Sequence, residues 1–240
     1  AAIAGLALYD AENIARHAEI SAALSLEALL GFRDAFVPKI QEVRRHQGQI
    51  EVAERILRFV EGSTLVDGSE EKDPRFIPPQ DAYSIRVTPQ VTGAVRDTLT
   101  FLRQTITNEI NAATDNPFIF LDYPRDYKTF SGGNFHGAPL AYAMDFLSIV
   151  MTDLGSLSER RTFRLTDPNL SGLPSMLIEE KKGGQTSGMM IAQYVAAGLV
   201  SDCKTLAHPD SVDSIPTSAN QEDHVSMSMN AARHARTVVK

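Results

Sequence analysis

Gln221-Glu222-Asp223-His224 places an amide, two carboxylates and an imidazole in four consecutive positions. Such a group can hold a cation, accept a proton or orient a ring. The run follows Pro216, Thr217 and Ser218 and leads into residues 224–240, where Ala, Met and Val recur at helical spacing. Glu222 is therefore expected near a helix start, where the positive end of the helix dipole keeps a carboxylate ionised. A capping carboxylate on a solvated turn would use the same residues.

A second group is Gln80-Asp81-Ala82-Tyr83-Ser84-Ile85-Arg86, with amide, phenol and guanidinium at intervals of three. On a helix these side chains share a face and converge on one ligand. Arg86 suits a two-pronged grip on a carboxylate, Tyr83 a proton donor or acceptor, and Gln80 an orienting amide. An exposed helix start with a surface arginine is the plainer account. Asn116 lies in the polar turn Asn111-Ala112-Ala113-Thr114-Asp115-Asn116-Pro117, and Asp-Asn-Pro is a turn signature by itself. Ser131-Gly132-Gly133-Asn134-Phe135-His136-Gly137 brings glycines, an aromatic ring and an imidazole into one loop where backbone can approach a ligand. It has neither the lysine and spacing of a Walker A loop nor a dinucleotide fingerprint, so phosphate binding is not expected. The six histidines, at 17, 46, 136, 208, 224 and 234, show no metal-ligand spacing, and no metal is expected.

Helices must position these groups. Apolar residues recur every three or four positions from 3 to about 35, with a break at Gly31, which reads as two helices. Pro38 opens another segment, 50–60 is amphipathic, and Val91, Val95, Leu99, Leu102, Ile106 and Ile110 keep the rhythm for five turns. Helices are also expected from 138 to about 163 and from 189 to 206. The most apolar run, 189–200, is interrupted by Gln193 and followed by Asp202 and Lys204, and is expected to be a buried helix rather than a membrane span. Residues 61–79, rich in Gly, Pro and charge, read as an exposed, mobile loop within a single α-helical core covering 1–240. The fold class is all-α, a bundle of long helices. A net charge of −7 argues against nucleic acid or an anionic membrane as the main partner, and the lone Cys203 fits a reducing cytoplasm.

Five blocks occur in an order that resembles the aromatic amino acid ammonia-lyases, and most closely the histidine ammonia-lyases. They are the Gln80–Arg86 stretch, Ala113-Thr114-Asp115-Asn116-Pro117, Gly132-Gly133-Asn134-Phe135-His136-Gly137, Leu157-Ser158-Glu159-Arg160-Arg161 with Leu170-Ser171-Gly172-Leu173-Pro174, and Ser218-Ala219-Asn220-Gln221-Glu222-Asp223-His224-Val225-Ser226. The resemblance implies the aspartase/fumarase-like all-α fold and a homotetramer with active sites built from three chains. It further implies that Arg86 holds the substrate carboxylate, that Tyr83 lies beside the reacting carbons, and that Gln80 and Asn116 make polar contacts. Phe135 would pack near electrophile and substrate, and Glu222 would face the substrate side chain. His136, Asp223 and His224 receive no role from it; hydrogen bonding within the fold is expected of them.

The family's electrophile, 4-methylidene-imidazol-5-one, forms from Ala-Ser-Gly, and no Ala-Ser-Gly occurs here; Phe130, Leu170 and Thr186 precede the three Ser-Gly pairs. The resemblance implies that the tripeptide and the tyrosine base lie in an N-terminal part outside these residues. The expectation is thus a piece of a longer lyase, inactive alone. Its reaction would be deamination of L-histidine to trans-urocanate, because the phenylalanine and tyrosine lyases typically carry an amide where Glu222 stands. A phenylalanine or tyrosine lyase or aminomutase is the first alternative. A non-catalytic helical scaffold subunit is the second.

Overall fold

The apolar rhythm of the sequence is realised as helices. A computed structural model describes residues 1–67, 79–123 and 128–240. In chain order the elements are α1 (Ala2–Ala28), α2 (Pro38–Arg44), α3 (Gln47–Phe59), α4 (Tyr83–Arg86), α5 (Thr88–Ile110), β1 (Phe118–Ile119), β2 (Thr129–Phe130), α6 (Ala138–Thr166), α7 (Pro168–Ser171), α8 (Met190–Leu206) and α9 (Ser228–Val239). The two short strands pair antiparallel, Phe118 opposite Phe130.

Where two helices were expected between 3 and 35, α1 runs unbroken and only a 3-10 turn, Arg33–Phe36, follows it. Nothing between Leu6 and Leu29 is Gly or Pro, so nothing interrupts the helix before Leu30 turns to a left-handed φ of 51°.

The core forms where α1, α5, α6 and α9 meet. Leu102, Ala141, Met144 and Leu147 from α5 and α6 are shielded from solvent, and the small side chains of Ala7, Ala11, Ala231 and Ala235 let α1 and α9 lie close. Each buried Leu or Met contributes about 1.5–3 kcal/mol relative to exposure. A second cluster joins Leu26, Phe36, Ile56 and Ile85 beneath α4. Here α3 meets α5 glycine to glycine: a Cβ on Gly93 would fall 2.4 Å from the Gln49 backbone nitrogen. Helix α6 is the spine, 29 residues and about 42 Å long at 1.5 Å per residue. It is long and apolar enough to cross a membrane, but much of its surface is buried against the other helices, including Asp145, Glu159 and Arg161.

Helix α8 corrects a second expectation. No residue of α8 is buried in this chain, and Ile191, Tyr194, Val195 and Leu199 are each more than half exposed. Between α8, α6 and α1 lies a groove of about 520 Å³ lined by Ile14, Met151, Leu154, Ala196 and Leu199 among others. Gln193, by contrast, is satisfied within the chain by donating to Glu159 at 3.1 Å. Of the loop expected at 61–79, residues 68–78 lie outside the described residues. At its start, Val66 is buried and the Asp67 amide bonds Gly31 O at 2.7 Å.

Candidate active site

Gln80, Tyr83 and Arg86 do converge, though not on one helix. Helix α4 begins only at Tyr83; Ala82 before it is extended, and Asp81 is turned away to accept from the Phe32 amide at 2.7 Å. Gln80 therefore reaches its partner across a bend, where its Oε1 accepts from Arg86 Nη1 at 2.9 Å. The Arg86 guanidinium lies 4.8 Å from the Tyr83 ring centroid, a cation–π contact, and its buried Nε has no acceptor among the described residues. These groups line a cleft of about 790 Å³ with Leu30, Arg164 and Leu170. Two arginines lining one cleft favour an anion such as a carboxylate.

The floor of this cleft is held from α6. Arg161 is 2% exposed and donates Nη1 to the Ser84 carbonyl at 3.3 Å, fixing the α4 turn. Burial pushes its pKa down to about 10.

The second group lies around the loop that precedes α6. Asn116 braces that loop with two bonds to Gly132, donating Nδ2 to its carbonyl at 2.7 Å and accepting its amide at 2.8 Å. The Asn116 amide retains one further donor and one further lone pair. Phe135 is 60% exposed. His136 Nε2 donates to the His224 carbonyl at 3.1 Å, and the two imidazoles stack at 5.7 Å and 9°.

Glu222 is not at a helix start: α9 begins at Ser228. Ser218, Ala219 and Asn220 all take left-handed φ, at 52°, 52° and 71°, closing a tight turn in which Thr217 and Glu222 pair by backbone bonds of 2.9 and 3.3 Å. Non-glycine residues there cost on the order of 1 kcal/mol each, and such strain gathers at functional sites. The turn brings two hydroxyls onto one carboxylate oxygen: Thr217 Oγ1 donates to Glu222 Oε2 at 2.7 Å and Ser218 Oγ at 2.9 Å. These bonds, Thr217 first, hold the Glu222 carboxyl below its ordinary pKa. The lowering thus comes from hydroxyls and not from a helix dipole.

The two groups sit at opposite ends of α6. Arg161 under the Arg86 turn and Ala138 beside the His136 loop are 23 residues apart, about 35 Å along the helix. Arg86 and Glu222 of one chain cannot meet on one small substrate.

A family profile for aromatic amino acid lyases matches residues 1–240. This chain belongs to the aromatic amino acid lyase family. It is 53% identical over 239 residues to a histidine ammonia-lyase of Caldanaerobacter subterraneus subsp. tengcongensis, a match covering 100% of this chain and 45% of that relative. Among solved structures, histidine ammonia-lyase from Trypanosoma cruzi aligns with a TM-score of 0.86 at 44% identity, over 99% of this chain and 42% of that one. Tyrosine aminomutase from Streptomyces globisporus aligns with a TM-score of 0.89 at 37% identity, over 99% and 47%. The lyase chain thus spans about half the length of the curated relatives it matches.

Nothing in the sequence singles out Thr217 and Ser218 as partners of Glu222: both are residue types that cap helices, and the next long helix starts only at Ser228. Arg164 carries no sequence signal either, since an arginine near the end of a helical run that also holds Arg160 and Arg161 does not reveal the cleft it lines.

Proposed function

We propose that this chain is part of an ammonia-lyase that converts L-histidine to trans-urocanate and ammonia. The observation that carries this reading is Glu222: ionised, exposed, anchored through Oε2, and with Oε1 free of protein hydrogen bonds among the described residues. A fixed carboxylate oxygen matches an imidazole N–H, and it matches better still a ring that becomes cationic. An apolar phenyl ring offers it nothing to accept.

Arg86 grips the substrate carboxylate in the arginine-lined cleft and so fixes which β-proton faces the base. Gln80 holds the guanidinium in register. Tyr83, 69% exposed, exchanges a proton at the reacting carbons or the departing nitrogen. The C–N bond breaks as ammonia leaves, and the β-proton passes to a base from outside these residues. When present, the methylidene-imidazolone electrophile makes the amine a competent leaving group. The residues here fit it as neighbours and not as its source: Phe135 and Tyr83 are open to a group brought by another segment, and no Ala-Ser-Gly lies in the chain.

Because about 35 Å of α6 separates Arg86 from Glu222, the working site draws them from different copies. The exposed apolar residues of α8 supply a surface for that assembly, as a homotetramer with shared sites. The parent protein works in the cytoplasm, in keeping with the single cysteine, Cys203, in these residues.

Absorbance of urocanate on adding L-histidine to the full-length protein tests the reaction. Faster turnover of tyrosine or phenylalanine than of histidine would replace this reading with the aryl-lyase or aminomutase alternative. No turnover of any of the three would favour the scaffold.

A further inference from the structure

His136 and His224 are used by none of the steps above, yet they form the one side-chain bridge between the loop bearing Phe135 and the loop bearing Glu222 among the described bonds and ring contacts. A carbonyl can only accept, so the bond from His136 Nε2 to the His224 oxygen at 3.1 Å requires the proton on Nε2. The parallel rings at 5.7 Å close the same gap by stacking. Beside them the two loops are pressed together: a Cβ on Gly137 would fall 2.4 Å from Ser228 Oγ and 3.1 Å from Ser226 Oγ. On the far side, Ser214 Oγ accepts from the Val225 amide at 2.7 Å, so the segment after Glu222 is held from both sides.

We propose that His136 is a positioning residue that sets the place of Glu222 by holding the His224 carbonyl, and that it thereby tunes selection of an imidazole substrate. The proposal rests on the reading of Glu222 as the residue that meets the substrate ring. Two residues of backbone separate the tethered carbonyl from Glu222, while the turn at 217–222 fixes its other side. Free of the tether, the turn and its carboxylate would move as one unit relative to Phe135, and a carboxylate displaced by an ångström loses its hydrogen bond to the ring.

The test uses the full-length protein with His136→Leu, which removes the donor, and His136→Gln, which keeps one. Leucine should lower kcat/KM for L-histidine about tenfold and glutamine should restore most of it. In a Glu222→Gln background the same leucine change should cost less than about twofold, because the residue it positions is already lost. Equal losses in both backgrounds, with amide exchange across 214–227 unchanged, would overturn the proposal. Hydrogen exchange also separates this idea from the proposed reaction. If the parent protein does not deaminate histidine, the reaction fails, but faster exchange at 214–227 in the leucine variant and not in the glutamine variant still upholds the tether. Unchanged exchange in both defeats it. Should His136→Leu not fold, His136→Asn, whose amide is too short to reach, takes its place.

Discussion

Arg86 and Gln80 are joined by a 2.9 Å hydrogen bond across a bend that no helix spans. One edge of the guanidinium is therefore held by the protein, its buried Nε has no acceptor among the described residues, and what remains for a ligand is set by that hold. Arg86→Lys loses the fork and the planar contact with Tyr83; kcat/KM for the amino acid should fall about a hundredfold in the full-length enzyme. Gln80→Leu leaves the charge and removes only its register, so a smaller loss, on the order of 1 kcal/mol in kcat/KM, is expected. Steady-state kinetics on both variants check the pair.

Glu222 carries the pH prediction. Its folded pKa lies below the ordinary value because Thr217 and then Ser218 donate to it. A depressed carboxyl is ionised at every pH above that ordinary value and loses its charge only as pH falls through the lower, folded one. Activity that needs the ionised form thus persists further into acid than an unheld glutamate would allow. In Thr217→Val/Ser218→Ala both donors are gone, and the acid limb of the kcat/KM profile should move to higher pH. A limb that stays in place would show that another group sets it.

The long helices could be read from sequence because burial and periodicity coincide in them: Leu99, Leu102 and Ile106 are spaced as a helix face and are the residues that α1 and α6 cover. The site was legible in its residue types and less so in its geometry. Gln80, Tyr83 and Arg86 meet as their spacing suggests, but the helix that would have placed them is cut short because Asp81 is bonded to Phe32, a partner 49 positions away. Ser218-Ala219-Asn220 gives no sign of three successive left-handed residues, since none is glycine; the backbone pairing of Thr217 with Glu222 and the two hydroxyl bonds to its carboxylate close that turn. The apolar content of α8 suggested burial, and in this chain the helix has no buried residue, because apolar composition does not say whether a covering element lies within these residues.

Packing at the α3–α5 contact makes Gly93 sensitive. A methyl there meets the Gln49 backbone at 2.4–2.5 Å, and backbone cannot rotate away as a side chain can. Gly93→Ala should destabilise the protein by about 1–3 kcal/mol, read as a lower urea midpoint at fixed protein concentration. Leu147→Ala, which empties a fully buried site on α6, should cost about 2–5 kcal/mol by the same measurement.

The separation of Arg86 from Glu222 by the length of α6 leads to a test of shared sites that needs no structure of the assembly. Arg86→Met and Glu222→Gln should each be nearly inactive on L-histidine in the full-length protein. If one site takes its arginine and its glutamate from the same chain, a mixture of the two variants stays inactive. If it takes them from different copies, some sites in a co-assembled mixture receive both intact residues. Random assortment of equal amounts gives about one site in four. Co-expression, or joint unfolding and reassembly, should therefore recover a substantial fraction of wild-type turnover, whereas mixing assembled variants without exchange of subunits should recover none. Adding Val195→Asp and Leu199→Asp to both variants places charge on the exposed apolar face of α8. Light scattering should then report smaller species, and the recovered activity should disappear with the assembly.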